Sequence, residues 1–249
     1  MSAGEIVAIA AAGLAAGMIN TVVGSGTLIT FPVLLAFGYA PVTANVSNTI
    51  GLVPGSVSGA IGYRRELSGQ RDRAIRLGAA SLLGGITGAV LLLALPAAAF
   101  AAIVPVFIGL ALVLIVLQPR LNRLLAKHSD HAEQRGPVLL LTLYATGVYG
   151  GYFGAAQGIL LLGILGLALT QDLHRTNALK NVLAGLVNGV AGVFFIFAAH
   201  VQWGPAAIIA SSSIVGAQVG ARYGRRLNPV ALRGLIVVVG IAAIAHFVV

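Results

Sequence analysis

Residues 17–27 read Gly17-Met-Ile-Asn20-Thr21-Val-Val-Gly24-Ser25-Gly26-Thr27, and they interrupt a hydrophobic segment with glycines and small polar side chains. After a short apolar run comes Ala44-Asn45-Val46-Ser47-Asn48-Thr49. The chain then repeats this arrangement, with Gly147-Val-Tyr149-Gly150-Gly151-Tyr152-Phe-Gly154-Ala-Ala-Gln157-Gly158 followed later by Thr176-Asn177-Ala178-Leu179-Lys180-Asn181. Inside a bilayer, irregular polar backbone persists only where protein or a water-filled cavity satisfies it. Two such interruptions at corresponding places predict a ligand site between two halves of the chain.

The composition is that of a membrane protein. Apolar residues make up 58% of the 249 residues and charged residues 8%, against about 25% charged in a soluble domain. A helix of about 20 residues crosses the hydrocarbon core. We therefore predict an all-α polytopic protein with eight long transmembrane helices, near 5–23, 41–63, 74–95, 97–117, 138–154, 177–200, 204–221 and 230–249. Two shorter runs, 26–37 and 158–170, are predicted to be broken or re-entrant segments.

Several function classes are disfavoured by what the sequence lacks. The net charge of +9 comes from basic residues that flank apolar runs, so we expect no nucleic-acid partner. There is no cysteine, and all six acidic residues lie at the ends of apolar runs or in connections, so we expect no buried carboxylate to bind Na⁺ or relay protons. Neither a nucleotide-binding motif nor a catalytic or metal-binding set is visible, so we expect no cofactor and no enzyme. Because Glu5 precedes the first run and no basic segment does, that run is expected to be a retained span.

A long polar stretch, 118–136, divides the chain. We expect a first transmembrane repeat at 1–117, a cytoplasmic linker at 118–136 and a second repeat at 137–249. Aligning 26–95 with 158–227 gives 12 identities in 70 positions. Those that matter are polar or glycine pairs: Gly26 with Gly158, Asn45 with Asn177, Ser81 with Ser213, Gly84 with Gly216 and Gly88 with Gly220. The pairs indicate an internal duplication.

The basic residues predict how the halves are oriented. All 15 lysines and arginines fall within 64–76, 120–135, 175–180 and 222–233. The positive-inside rule places these four regions in the cytoplasm. The stretch 5–37 must then begin and end outside, and 138–170 must begin and end inside. The halves are therefore predicted to be inverted repeats with both termini outside.

The polar groups of both copies are the candidate ligand contacts. The first turns of helices predicted to begin at 41 and 177 offer unpaired N–H groups and favour an anion. Glycines let backbone N–H groups approach a ligand closely. The candidate substrate-binding residues are Asn20, Gly24, Ser25, Gly26, Thr27, Asn45, Ser47, Asn48, Thr49, Gly154, Gln157, Gly158, Asn177, Lys180 and Asn181.

Each of these residues also has an ordinary structural interpretation. The amides could cap helices or bond one helix to another. Lys180 lies inside an apolar helix with no acid one turn away, where a charge is costly and usually functional. Its alternative is to snorkel to the cytoplasmic surface. The pairs Gly13/Gly17, Gly84/Gly88 and Gly216/Gly220 have the spacing of close helix contacts and predict scaffold packing.

These motifs resemble one known family. Gly17…Asn20…Gly24-Ser25-Gly26-Thr27-Leu-Ile-Thr-Phe-Pro32 and Gly38-Tyr-Ala-Pro41…Ala44-Asn45-Val-Ser-Asn48-Thr49 resemble the TauE/SafE sulfite-exporter permeases, as do Gly59…Tyr63-Arg64-Arg65, Lys180, Trp203 and Gly216…Gly220-Ala221. Many members have four glycines near Gly24–Thr27 and a lysine near Asn48–Thr49, which this chain lacks.

The resemblance implies transport of sulfite, sulfonates or related small organic anions across the cytoplasmic membrane, with the bilayer as the other partner. Alternating access around a midplane site is the expected mechanism. An anion-selective channel and a carrier of small carboxylates are the alternatives. The chain could act as a monomer or a homodimer.

Overall fold

The computed structural model describes residues 1–127, 136–224 and 229–248, and every regular element in these ranges is a helix. The helices are α1 (Ala3–Val22), α2 (Thr27–Ala36), α3 (Pro41–Gly62), α4 (Arg71–Ala94), α5 (Ala97–Lys127), α6 (Pro137–Tyr152), α7 (Gln157–Ala168), α8 (Leu173–Ala198), α9 (Trp203–Tyr223) and α10 (Pro229–Val248). Each of the ten predicted apolar runs overlaps one of them. The first part of the predicted linker, up to Lys127, continues α5, and 128–135 lie outside the described ranges.

Within the described ranges, five helical segments are long and apolar enough to cross a membrane: Ala3–Val22, Arg71–Ala94, Ala97–Arg120, Leu173–Ala198 and Trp203–Tyr223. The all-helical, multi-pass prediction is thereby confirmed, whereas the number eight stays a prediction. The short helices α2 and α7 have 10 and 12 residues. At about 1.5 Å per residue each is far shorter than the ~30 Å hydrocarbon core.

Contacts made in one half recur in the other with the partners exchanged. Helix α1 packs on α9, and α6, its counterpart, packs on α4. A Cβ added to Gly17 would lie 2.2 Å from the carbonyl oxygen of Ser213, and one added to Gly147 would lie 2.4 Å from that of Ser81. Gly17 and Gly147 open the two interrupted stretches, and Ser81 and Ser213 are an aligned pair of the duplication. In both interfaces, therefore, a glycine of one helix packs directly against a serine carbonyl of the other.

The predicted role of the paired glycines in helix packing is confirmed. A Cβ at Gly216 would lie 2.0 Å from the Leu14 carbonyl oxygen, and one at Gly84 would lie 2.1 Å from that of Tyr144. At these distances only the hydrogen side chain of glycine fits between the two backbones. Small residues allow membrane helices to pack closely in this way.

Gly216→Ala should therefore lower the thermal midpoint of the detergent-purified protein, because overpacking a tight contact costs about 1–3 kcal/mol. Gly109→Ala is the matched control, since its new Cβ would meet nothing within 4 Å. The control should be neutral or gain up to ~1 kcal/mol of helix propensity. Equal midpoints for the two variants would contradict the packing described here.

Candidate functional site

The two interruptions of the apolar segments have the same backbone geometry. Gly24 ends α1 with φ 91°, and Gly154 follows α6 with φ 74°. In each, the N–H donates to the carbonyl five residues earlier, Gly24 to Ile19 and Gly154 to Tyr149, both at 3.0 Å. Left-handed φ values favour glycine, which has no Cβ to clash with the preceding turn. The glycines thus end α1 and α6 abruptly and turn the chain into α2 and α7.

The structure brings these interruptions into direct contact. The N–H of Gly158 donates to the carbonyl of Gly24 at 3.0 Å. A Cβ on either glycine would lie 2.4 Å from the other's Cα. Two segments from opposite halves of the chain therefore meet backbone to backbone.

Beside this contact lies a group that we call the Lys180 cluster: the side chains of Asn177, Lys180 and Asn181 with the carbonyls of Asn20 and Thr21. Lys180 is 0% exposed. Its Nζ donates to the carbonyls of Asn20 at 3.1 Å and Thr21 at 3.3 Å. Asn177 and Asn181 donate to the Thr21 carbonyl at 3.2 and 3.3 Å. The last carbonyls of a helix carry partial negative charge, so the end of α1 holds the ammonium in place.

Lys180 consequently does not snorkel to a surface. No carboxylate in the described ranges bonds to it, and its polar partners are carbonyl dipoles. An ammonium buried in this way has lost its hydration without gaining a full counter-charge.

The other half contains a corresponding group without a charge, the Asn48 cluster. Asn45, which aligns with Asn177 in the duplication, donates to the carbonyl of Tyr152 at the end of α6 at 3.0 Å. Asn48, which aligns with Lys180, donates to Thr27 Oγ1 at 3.4 Å and accepts from the Thr30 hydroxyl. These bonds tie α3 to α2 and α6. In both clusters an asparagine donates to a carbonyl near the end of α1 or α6, but only the Lys180 cluster carries a positive charge.

Other candidate residues differ in position. Thr49 is buried in α3, and Gly26 lies against the carbonyl of Ala16 in α1. The Asn20 amide donates to Ser56 Oγ at 3.4 Å, and so does that of Asn188. Ser47 lies apart from the clusters, because its hydroxyl accepts from the N–H of Gln202 at 2.9 Å, just before α9.

Unpartnered polar atoms collect around the two interruptions. Buried polar atoms in proteins nearly always have a hydrogen-bond partner. Those without one at this place are Ser25 Oγ, Gln157 Nε2, Asn45 Oδ1, Asn177 Oδ1 and Tyr152 Oη. Ser25 and Gln157 occupy corresponding positions, as do Asn45 and Asn177. The region has unused donors and acceptors that water or a ligand can satisfy.

The predicted start of α8 is wrong. The helix begins at Leu173 because Asp172 caps it, accepting from the N–H groups of His174 and Arg175 at 2.9 and 3.0 Å. Asn177, Lys180 and Asn181 therefore lie in the second and third turns, where backbone N–H groups are already used in the helix. Side chains, and not free backbone N–H groups, are the donors that α8 offers.

A cavity of about 200 Å³ opens beside Asn177, and we call it the Arg233 cavity. It is lined by Val22, Val23, Tyr63, Gln118, Leu162, Leu173, His174, Asn177, Gly224 and Arg233. Sequence reasoning missed Gln118 and Arg233, since both lie in stretches that it assigned to basic connections. No local signal marks them as neighbours; Arg233 Nε donates to Gln118 Oε1 at 3.3 Å, between positions far apart in the chain.

The corresponding place in the other half is filled by aromatic rings. Tyr152 and Phe153 lie at the end of α6, as Val22 and Val23 lie at the end of α1, and they pack with Phe31, Phe100 and Phe107 at ring-centroid distances of 5.2–6.0 Å. One cluster therefore borders a cavity and the other borders a packed aromatic plug.

Comparison with known proteins places the chain in a family. The family described as Sulfite exporter TauE/SafE matches residues 9–247. The chain belongs to the TauE/SafE family. The resemblance found in the glycine motifs is confirmed over nearly the whole length, and the chain is a multi-pass membrane transporter of this family.

Curated relatives agree with this assignment. A probable membrane transporter protein, ORF9, of a Sinorhizobium species is 30% identical over 230 residues, covering 91% of this chain and 86% of the relative. The probable membrane transporter YfcA of Escherichia coli K12 is 27% identical over 233 residues, 90% of this chain and 82% of YfcA. A probable membrane transporter of Haemophilus influenzae is 26% identical over 246 residues, 95% and 91% of the two chains. No solved structure matches the chain.

Proposed function

We propose that this TauE/SafE protein is a secondary transporter of small anions such as sulfite, sulfonates or related organic anions, working in the cytoplasmic membrane. The observation that carries the proposal is the Lys180 cluster. A fully buried ammonium with carbonyl partners only lies next to the contact between two broken helices. Buried charge inside membrane helices is rare and usually belongs to a substrate path.

An anion is the ligand that this charge favours. Carbonyl dipoles offset part of the positive charge, and a bound anion would offset the rest. Asn177 and Asn181 stand one turn apart on either side of Lys180, and Asn20 contributes a nearby amide. These amide groups can bond an oxyanion once their present bonds open.

Alternating access between inverted halves is the mechanism we propose. It is supported by the exchanged packing of α1 on α9 and α6 on α4. The asymmetry between the halves supports it further: an open cavity borders one cluster while aromatic rings close off the other. A carrier caught open to one side has this asymmetry, whereas an open channel would not be plugged at one end.

A flux panel tests the substrate class. The purified protein in liposomes should carry at least one of sulfite, a small sulfonate or a small carboxylate above the rate of empty liposomes. Uptake of carboxylates alone would favour the carboxylate carrier. Absence of flux for every anion tested would contradict the proposal.

Single cysteines test the inverted orientation, because the natural chain contains none. Cysteines at Ser68, Ser129 and Asn228 should be shielded from impermeant thiol reagents in intact cells, and one at Gly204 should react. Ser68 and Gly204 are exposed, while Ser129 and Asn228 lie outside the described residues. Labelling at Asn228 from outside would contradict the inverted arrangement.

A further inference from the structure

We propose that the Arg233 cavity is a second anion-binding site, in which a small oxyanion is held before it reaches Lys180. The inference rests on the proposed function for its biological meaning, but its test measures binding and not transport. The cavity is formed where the ends of α1 and α9 meet the first turns of α8, together with α5, α7 and α10.

The charge of the lining selects the ligand. Arg233 lines the cavity, and a guanidinium stays protonated in proteins. None of the ten lining residues is acidic. The carboxylate nearest in sequence, Asp172, is exposed and accepts from the backbone at the start of α8. Positive charge without an acid in the lining favours an anion.

The geometry of Arg233 suits an oxyanion. Its Nε donates to Gln118 Oε1 at 3.3 Å, and Gln118 is itself buried. This bond occupies one of the five guanidinium N–H groups and orients the plane of the others. A guanidinium oriented in this way can bond two oxygens of one oxyanion, which is the arrangement for which arginine is used in anion recognition.

The cavity has room for such a ligand. Its volume is about 200 Å³, whereas a single water needs roughly 10–15 Å³ by this kind of measure. An oxyanion of three or four oxygens can enter together with some of its water. His174, exposed at the cavity, adds a ring nitrogen that can donate.

Asn177 connects the cavity to the Lys180 cluster. It lines the cavity and is only 7% exposed. Its Nδ2 donates to the Thr21 carbonyl, which also accepts from Lys180, while its Oδ1 has no partner. That oxygen can accept from an anion's own O–H group or from a water that accompanies the anion. A residue that lines the cavity therefore shares the Thr21 carbonyl with the buried lysine.

Equilibrium binding of radiolabelled sulfite to the purified full-length protein, in detergent free of anionic lipid, tests the site. Lys180→Met removes the buried charge and should leave sulfite binding in the Arg233 cavity. Adding Arg233→Gln should weaken this remaining binding at least tenfold, about 1.4 kcal/mol. Adding Arg222→Gln instead removes an exposed charge that does not line the cavity, and should change nothing.

The single variant Arg233→Gln provides the same test without the lysine change: sulfite stoichiometry should fall from two to one. Retained affinity in the Arg233 variants, or loss of all binding in Lys180→Met, would overturn the second site. Displacement of sulfite by added phosphatidylglycerol would assign the cavity to a lipid headgroup and overturn it also. A wild-type protein that binds sulfite here but carries no anion would support the cavity and contradict the transport proposal alone.

Discussion

Lys180→Met is expected to reduce anion flux by about a hundredfold. An ammonium within about 4 Å of an anion is worth roughly 4 kcal/mol at an intermediate dielectric, and each 1.4 kcal/mol is a factor of about ten. Desolvation lowers this ceiling to about two powers of ten. Methionine roughly retains the volume of the fully buried side chain and removes its charge. Flux of the best panel anion, at equal amounts of reconstituted protein, measures the loss.

Two further variants separate charge from packing. Lys180→Arg should recover only part of the flux, because the planar guanidinium does not fit the space between the carbonyls of Asn20 and Thr21 as an ammonium does. Arg222→Met removes an exposed positive charge and should transport normally. Wild-type flux in Lys180→Met would mean that the lysine only joins α8 to the end of α1.

Gly24→Ala is the second change with a large expected effect. The new Cβ would lie 2.4 Å from the Cα of Gly158, at a residue whose φ is 91°. The left-handed backbone costs an alanine about 1–2 kcal/mol and the clash about 1–3 kcal/mol more. We expect a clearly lower thermal midpoint and loss of transport.

Gly38→Ala isolates the clash from the backbone strain. Gly38 has a similar φ of 84°, but its added Cβ would meet nothing within 4 Å. Gly38→Ala should therefore lose only the stability that the left-handed backbone costs an alanine, and it should keep its transport activity. Gly158→Ala should resemble Gly24→Ala in transport, since its Cβ meets Gly24 at the same distance. Equal behaviour of Gly24→Ala and Gly38→Ala would show that the two interruptions need not touch.

Much of the helical framework follows from local sequence. Apolar runs predict the helices, and glycines at 24 and 154 predict where α1 and α6 end, since both are properties of neighbouring residues. The alignment of 26–95 with 158–227 also predicts that Asn45 and Asn177 have equivalent positions. Asn45 donates to the carbonyl of Tyr152 at the end of α6, and Asn177 donates to the carbonyl of Thr21 near the end of α1.

The partners of these groups were not predictable. Lys180 bonds to carbonyls in the opposite half of the chain, and Arg233 to Gln118. Such pairs depend on how whole helices pack against each other, and a local sequence pattern does not predict this packing. The start of α8 was a different kind of error: Asp172 is a recognisable N-cap, but its helix opens with polar residues, so the apolar run alone placed the start too late.

The aromatic plug was likewise invisible in the sequence. Phe31, Phe100 and Phe153 read as ordinary apolar residues in three separate segments. Only in the folded chain do they meet, at centroid distances of 5.2–6.4 Å. These rings pack at the end of α6, whereas the Arg233 cavity lies at the end of α1.

Counterflow tests alternating access by this protein most directly. Liposomes containing the purified protein are loaded with unlabelled anion, the best substrate of the flux panel, and diluted into a trace of the same anion in labelled form. A carrier with one site that opens to either side should accumulate label transiently above its equilibrium level, with a rate that saturates as the anion concentration rises. Label that only equilibrates, at a rate proportional to concentration, would indicate a channel and contradict the proposed mechanism.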